Sequence, residues 1–305
     1  MSSKNLNPLE KYLHSKIKFS GPITVAEYMK EALGNPKWGY YTKKDVFGVQ
    51  GDFITAPEIS QMFGELIGIW FINEFSILKN IYKSHMPECV QFIEMGPGRG
   101  TLMNDMLRVL NKDNQNSVDL FVYMIESSPF LRKIQIKNLC NLEKEPELEK
   151  EYDSKHSNRI KITWLTDITQ LPHKEAVHFF VANEFFDALP VHKFQKTPKG
   201  HKEVLIDFDP KENKFKFVLS PMTTLNSKVF LKLYPDYEKY DHLEISAEAA
   251  RYIDLITTRL NQYNGSVLII DYGHDGESKD SFRAFKNHKL VDVFTEPGEC
   301  DLTID

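Results

Sequence analysis

From residue 90 the chain settles into a rhythm of short apolar runs separated by amphipathic segments. The runs are "VQFIEMG", "LFVYMIE", "IKITWLTD", "HFFVANE" and "SVLIIDYG". Each ends in an acid, a glycine or an asparagine where the chain turns. Strands alternating with helices predict a parallel sheet covered on both faces, with ligands at the carboxyl ends of the strands. Residues 20–80 carry a helical pattern instead. "PITVAEYMKEAL" has apolar positions at helical spacing, with Pro22 near its start and Gly34 past its end. A second helix, from about Pro57 or Ser60 to Leu78, is strongly apolar on one side.

Between those helices lies "GNPKWGYYTKKDVFGVQGDFITAPEIS". Long irregular segments in compact domains are usually functional or disordered, and Trp38, Tyr40, Tyr41 and Phe53 argue against disorder. Two insertions interrupt the later rhythm. "NLEKEPELEKEYDSKHSN" is charged and poor in apolar residues, and reads as a solvated loop. "VHKFQKTPKGHKEVLIDFDPKENKFKFVLS" alternates around the turn segments "TPKG" and "DPKEN", and predicts antiparallel strands. The helix "SAEAARYIDLITTRLNQYNG" follows, with Ser246 as N-cap and Gly265 as its stop. The expected division is a helical N-terminal region with a lid loop over 1–85, and a sheet domain over 86–305 with an insertion at about 192–245.

Composition adds mainly exclusions. The chain has 305 residues, 41% hydrophobic and 27% charged, with a net charge of −5, as expected of a globular protein with an ample core. No global basic field argues for nucleic acid. No apolar run is long enough to span a bilayer. Cys89, Cys140 and Cys300 are scattered, without metal-ligand or disulfide spacing, which suits a reducing compartment. The N-terminal "MSSKNLNPLEKYLHSKIKF" lacks the apolar core of a secretory signal and the arginines of a transit peptide.

Candidate chemistry gathers at the strand ends. In "QFIEMGPGRGTLMNDML", Gly96, Gly98 and Gly100 alternate directly after the first strand. A dinucleotide fingerprint needs a third glycine where Thr101 stands, and no G-K-[ST] follows for a phosphate loop. Pro97 also removes a backbone donor. The spacing E-x-G-x-G-x-G instead matches the S-adenosylmethionine turn of class I methyltransferases, where glycine permits close approach. Glu94 could orient the cofactor's ammonium, and Glu126, ending the second strand, could accept both ribose hydroxyls. Asp167, after the third, could take the adenine amino group. A purely structural turn is the alternative. Past the fourth strand, Asn183, Glu184 and Asp187 could hold a cationic acceptor such as a guanidinium. Their alternative reading is helix capping. His192 and His274 read as structural or solvent-facing.

With these residues assembled, the chain resembles the MidA-type methyltransferases. The resemblance is carried by "SGPITVAEYMKEAL", "GDFITAPEISQMFGELIGIWF", "EMGPGRGTLMNDMLRV", "NEFFDALPVHKFQKTPKG", "DYGHDG" and "FRAFKNHKLVDV…PGECDLT", from about residue 20 to the C-terminus. It implies an α/β, Rossmann-like class I S-adenosylmethionine-dependent methyltransferase sheet with a helical N-terminal region and an antiparallel β insertion. It further implies methylation of an arginine on the 49 kDa-type core subunit of respiratory complex I, giving symmetric dimethylarginine in the mitochondrial matrix. Glu94, Gly96, Gly98, Gly100, Glu126 and Asp167 would serve the cofactor, and Asn183, Glu184 and Asp187 the acceptor. No metal is implied. "GDFITAPE", Gly51 to Glu58, would be a lid, or else a packed loop and helix start.

Two further expectations follow. Class I sheets close with two more strands after the fifth, and no good candidates for both stand after Gly273, so C-terminal strands are expected to be missing and the fifth strand to keep an open edge. A reading of another class is a non-catalytic assembly or scaffold protein on the same fold. A small-molecule methyltransferase is a third.

Overall fold

The computed structural model describes residues 5–43, 55–83, 87, 89–113, 118–273 and 280–305. Its helices are α1 (Pro8–Ser20), α2 (Val25–Gly34), α3 (Tyr40–Lys43), α4 (Ala56–Ile59), α5 (Gln61–Tyr82), α6 (Thr101–Asp113), α7 (Pro129–Cys140), α8 (Leu225–Phe230) and α9 (Ala247–Tyr263). The strands up to the fourth apolar run are β1 (Ile23–Thr24), β2 (Cys89–Met95), β3 (Asp119–Ile125), β4 (Glu151–Ser154), β5 (Ser157–Leu165) and β6 (Val177–Asn183). Eight more follow: β7 (His192–Thr197), β8 (Gly200–Asp209), β9 (Lys214–Leu219), β10 (His242–Ile245), β11 (Gly265–Ile270), β12 (Arg283–Lys286), β13 (Lys289–Val291) and β14 (Asp301–Thr303).

These elements group into two units interleaved in sequence. One comprises Met1–Lys44, Asp187–Arg251 and Tyr272–Asp305; the other comprises Asp45–Phe186 and Tyr252–Asp271. A single boundary near residue 85 does not describe this grouping. The reason is strand pairing: β1, close to the N-terminus, lies antiparallel to β8, with Ile23 opposite Ile206.

The second unit holds a six-stranded sheet in the order β11-β6-β2-β3-β5-β4. All five expected strands are present and mutually parallel. The polar stretch near residue 150 is not wholly a loop. Its residues Glu151–Ser154 form β4, antiparallel to β5, with the Tyr152 ring 5.8 Å from that of Trp164. An edge strand faces solvent along one side, so its polar composition hid it.

Packing explains the rest of this unit. Ser60 caps α5 by accepting the Met62 N–H. Phe71 on α5, Phe92 on β2 and Phe179 on β6 meet with centroids 5.1–5.5 Å apart, and all three are buried. Burying each ring contributes about 1.5–3 kcal/mol, and together they seat α5 over the middle of the sheet. Gly64 and Gly68 bring α5 against α6: a Cβ on Gly64 would stand 2.7 Å from the Asp105 Cβ, and one on Gly68 3.2 Å from the Met106 Cα. At the far end of α9 the left-handed residue is Asn264 (φ +62°), while Gly265 opens β11. The stop moves by one residue because Asn tolerates that conformation, and a Cβ on Gly265 would strike the His178 carbonyl oxygen at 1.8 Å.

The first unit is built on antiparallel strands, as the alternation around "TPKG" and "DPKEN" predicts: β1-β8-β7-β10, with β9 beside β8. Helix α1 precedes the region read as helical. It is started by a capping box in which Asn7 accepts the Glu10 N–H and Glu10 accepts the Asn7 N–H, with Pro8 in the first turn. Three strands do follow Gly273. They form their own sheet, β13-β12-β14, and among the described residues none of them pairs with β11, which ends the order of the parallel sheet.

Candidate active site

In the second unit the chain runs outward from β2 through β3 to β5, then returns past β2 to build β6 and β11. The strand order reverses between β2 and β6, and ligands of open α/β sheets bind beyond the carboxyl ends at such a point. Glu94, Gly96, Asn183 and Glu184 lie at these two strand ends.

All three glycines of the turn take left-handed backbone angles: φ is +62° at Gly96, +53° at Gly98 and +76° at Gly100. Close approach is demanded by the protein itself at Gly96, where an added Cβ would stand 2.6 Å from Phe185 Cδ2. Side chains brace the turn from outside. The Asn138 amide donates to the Arg99 carbonyl at 2.9 Å, and the Gln135 amide to the Gly98 carbonyl at 2.7 Å. Glu58 pairs with the Arg99 guanidinium at 3.0 Å and accepts the Thr101 hydroxyl. Glu58 belongs to the segment read as a lid. Residues 51–54 of that segment lie outside the described residues, as does His274.

Two carboxyls lie buried at neighbouring strand ends. Glu94 is 3% exposed, and its Oε2 has no hydrogen-bond partner among the described residues. Burial, then the charge of Glu126, push it well above the ordinary carboxylate range, partly offset by the Met103 backbone N–H. Glu126 is 7% exposed; its Oε1 accepts the Ser128 N–H at 2.8 Å and its Oε2 the Gln135 amide at 3.2 Å. Burial raises it to about 7 despite those donors and Arg132.

The remaining sites differ in what their atoms already do. Asp167 caps a short helical turn, Ile168–Gln170, accepting from the Thr169 N–H and hydroxyl. Asn183 ends β6, and its Oδ1 is buried without a partner among the described residues. Glu184 holds φ +49°, and its N–H donates to the Ile270 carbonyl at 2.8 Å. Outside glycine such an angle costs of order 1 kcal/mol or more and clusters at functional sites. Asp187 falls in the other unit. There its carboxylate accepts from the Tyr272 hydroxyl and from Thr303 at 2.9 Å, and its carbonyl accepts the Ile304 N–H at 3.0 Å. His192 is engaged by Glu203 at 2.9 Å in that same unit, a structural pairing.

Residues given no role by sequence reading are Gln135, Phe185 and Tyr272, while Glu58 is read only as the end of the lid segment. Gln135 alone left a signal: a polar residue on the buried face of α7, in line with Leu131 and Leu139.

A parallel sheet of this order, a left-handed glycine turn after its first strand, and acids ending the first two strands define a class I methyltransferase fold. Comparison with known proteins agrees and narrows it. Residues 66–305 match a family described as "Putative S-adenosyl-L-methionine-dependent methyltransferase", and the chain belongs to that family. It is 44% identical over 310 residues to the protein arginine methyltransferase NDUFAF7, mitochondrial, of Xenopus tropicalis, covering 99% of this chain and 70% of that one. The Homo sapiens protein of the same name is 44% identical over 309 residues, covering 98% and 67%. Among solved structures, a COG1565 superfamily member from Burkholderia thailandensis, crystallised with S-adenosyl-homocysteine, superposes with a TM-score of 0.72. At 20% identity over 97% of this chain and 72% of that one, it supports the fold. Among the described residues no helix is long and apolar enough to cross a membrane.

Proposed function

We propose that this chain is an S-adenosyl-L-methionine-dependent protein arginine methyltransferase. It forms symmetric dimethylarginine on the 49 kDa-type core subunit of complex I, in the mitochondrial matrix. The observation that carries the cofactor part is a buried oxygen of Glu94, without a partner among the described residues, beside a glycine turn and a second buried carboxyl. A buried polar atom without a partner is costly in a folded protein, and an ammonium group is the partner such an oxygen suits. The arginine acceptor is supported by the names of the relatives, and the complex I subunit by the resemblance to MidA-type proteins.

In this reading Glu94 accepts the ammonium, Gly96, Gly98 and Gly100 shape the wall, and Glu126 accepts the ribose hydroxyls. Asp167, through its cap, shapes the turn that meets the adenine. Bound S-adenosyl-L-methionine supplies a methyl group on a sulfonium, ready for attack by nitrogen. Glu184 holds the guanidinium in bidentate fashion, and the Asn183 Oδ1 accepts a further N–H. Holding the nitrogen in line supplies much of the rate. The methyl's bond to sulfur would break as the bond to nitrogen forms, leaving a neutral thioether, and the guanidinium proton would then pass to water, so no strong base is needed. Asp187, satisfied by Tyr272 and Thr303, anchors the chain after this strand end.

The test is incubation with methyl-deuterated cofactor and the 49 kDa-type subunit, followed by mass spectrometry of its arginines. One labelled methyl on each terminal nitrogen is expected. An unlabelled subunit contradicts the assignment, and two labels on one nitrogen contradict the symmetric product.

A further inference from the structure

Gln135 sits in the middle of α7, and its side chain is fully buried. Its amide makes three hydrogen bonds to three different segments: the glycine turn, the residue after β3, and β5. Nε2 donates to the Gly98 carbonyl at 2.7 Å and to Glu126 Oε2 at 3.2 Å, while Oε1 accepts the Trp164 indole N–H at 2.8 Å. An indole nitrogen only donates. The amide oxygen therefore has to face Trp164, and both amide hydrogens have to face the turn and the carboxylate. Trp164 is itself fully buried in β5 and cannot turn away.

The other oxygen of Glu126 is fixed by the Ser128 N–H at 2.8 Å. Each carboxylate oxygen thus has a donor, the Ser127 backbone N–H adds to them, and acceptor capacity remains for a ligand. The plane of the carboxylate is set from both ends before any ligand arrives. We propose that Gln135 is a positioning residue: with its orientation locked by Trp164, it holds the glycine turn and the Glu126 carboxylate in one fixed relation, pre-organised for a nucleoside diol. This rests on the cofactor reading of the site. Neither methionine-like bulk nor a carboxyl at 135 could replace it, because the place requires one acceptor and two donors at fixed ends.

Pre-organisation is readable through pH. The charged groups facing Glu126 are Glu94 from β2, which opposes its ionisation, and Arg132 from α7, which favours it. The Gln135 amide also favours the charged form, and a charged carboxylate is the stronger acceptor for hydroxyls.

The experiment is calorimetric titration of the full chain with S-adenosyl-homocysteine between pH 6 and 9, for wild type, Gln135→Met and Trp164→Phe. Thermal unfolding of each apoprotein is recorded alongside. Wild type should bind, with affinity falling as pH drops through the Glu126 transition. Gln135→Met should bind about 10-fold more weakly at pH 8, with that transition moved to higher pH. Trp164→Phe should move both in the same direction by less. Glu94 and Arg132 are common to all three proteins, so neither accounts for a difference. Wild-type affinity and transition in both variants would overturn the positioning role, as would a loss that is uniform across pH. If Gln135→Met does not fold, Trp164→Phe decides by the same criteria. A folded wild type that binds at no pH removes the cofactor reading, and the positioning role with it.

Discussion

Gly96 and Phe185 exclude any side chain between them: a Cβ on Gly96 would stand 2.6 Å from Phe185 Cδ2, on a backbone already at φ +62°. Two separate costs therefore meet at one residue. Gly96→Ala should destabilise the fold by about 1–3 kcal/mol and weaken cofactor binding, read as a lowered unfolding midpoint and a reduced affinity. Combining it with Phe185→Leu should restore part of the stability, because the clash is relieved and the backbone angle is not. Full restoration would show that the angle costs nothing.

Glu94 should couple binding to protons. Burial and Glu126 keep its carboxyl well above the ordinary range in the apoprotein, whereas a bound ammonium favours the charged form. Binding of S-adenosyl-homocysteine at pH 7.5 should release protons, and Glu94→Gln should remove most of that release. Titration in buffers of different ionisation enthalpy reads it directly; proton uptake contradicts the assignment.

Glu126 should leave its mark on stability. Its folded value of about 7 lies above the ordinary 4.5, so between these values the native state holds a proton that the unfolded chain has lost. The Glu126 contribution to stability then falls as pH rises from about 4.5 to about 7 and levels off above, by up to about 3 kcal/mol. Chemical denaturation across that range should show the slope, and Glu126→Gln should reduce it, leaving the part that the buried Glu94 contributes. An unchanged slope in the variant would assign the dependence elsewhere.

The approach of α5 to α6 should be as sensitive as the turn. A Cβ on Gly64 would meet the Asp105 Cβ at 2.7 Å, so Gly64→Ala should cost about 1–3 kcal/mol despite the better helix propensity of alanine. Gly34→Ala meets nothing within 4 Å and serves as the comparison. A Gly64→Ala protein as stable as Gly34→Ala would mean that the helices separate freely.

The parallel strands were legible because strands buried on both faces are apolar throughout, as in "HFFVANE". Their terminal residues Glu94, Glu126 and Asn183 came with them, since polar residues return at the strand ends even where Glu94 and Glu126 stay buried. Strand β4 was not legible, because Glu151, Tyr152 and Asp153 have the composition of a loop, and their pairing partner β5 comes later in the chain. Gln135 was missed for the opposite reason: its three partners lie in different elements, and no local spacing brings Gly98, Glu126 and Trp164 together. Asp187 shares a short motif with Glu184, yet its partners Tyr272 and Thr303 come from far along the chain.

The cofactor assignment is tested most directly by calorimetric titration of the folded chain with S-adenosyl-homocysteine, beside Glu126→Ala. The account predicts binding by the wild type and a loss of about 10-fold or more in the variant, with circular dichroism unchanged. A folded wild type that does not bind, or a variant that binds equally well, would contradict it.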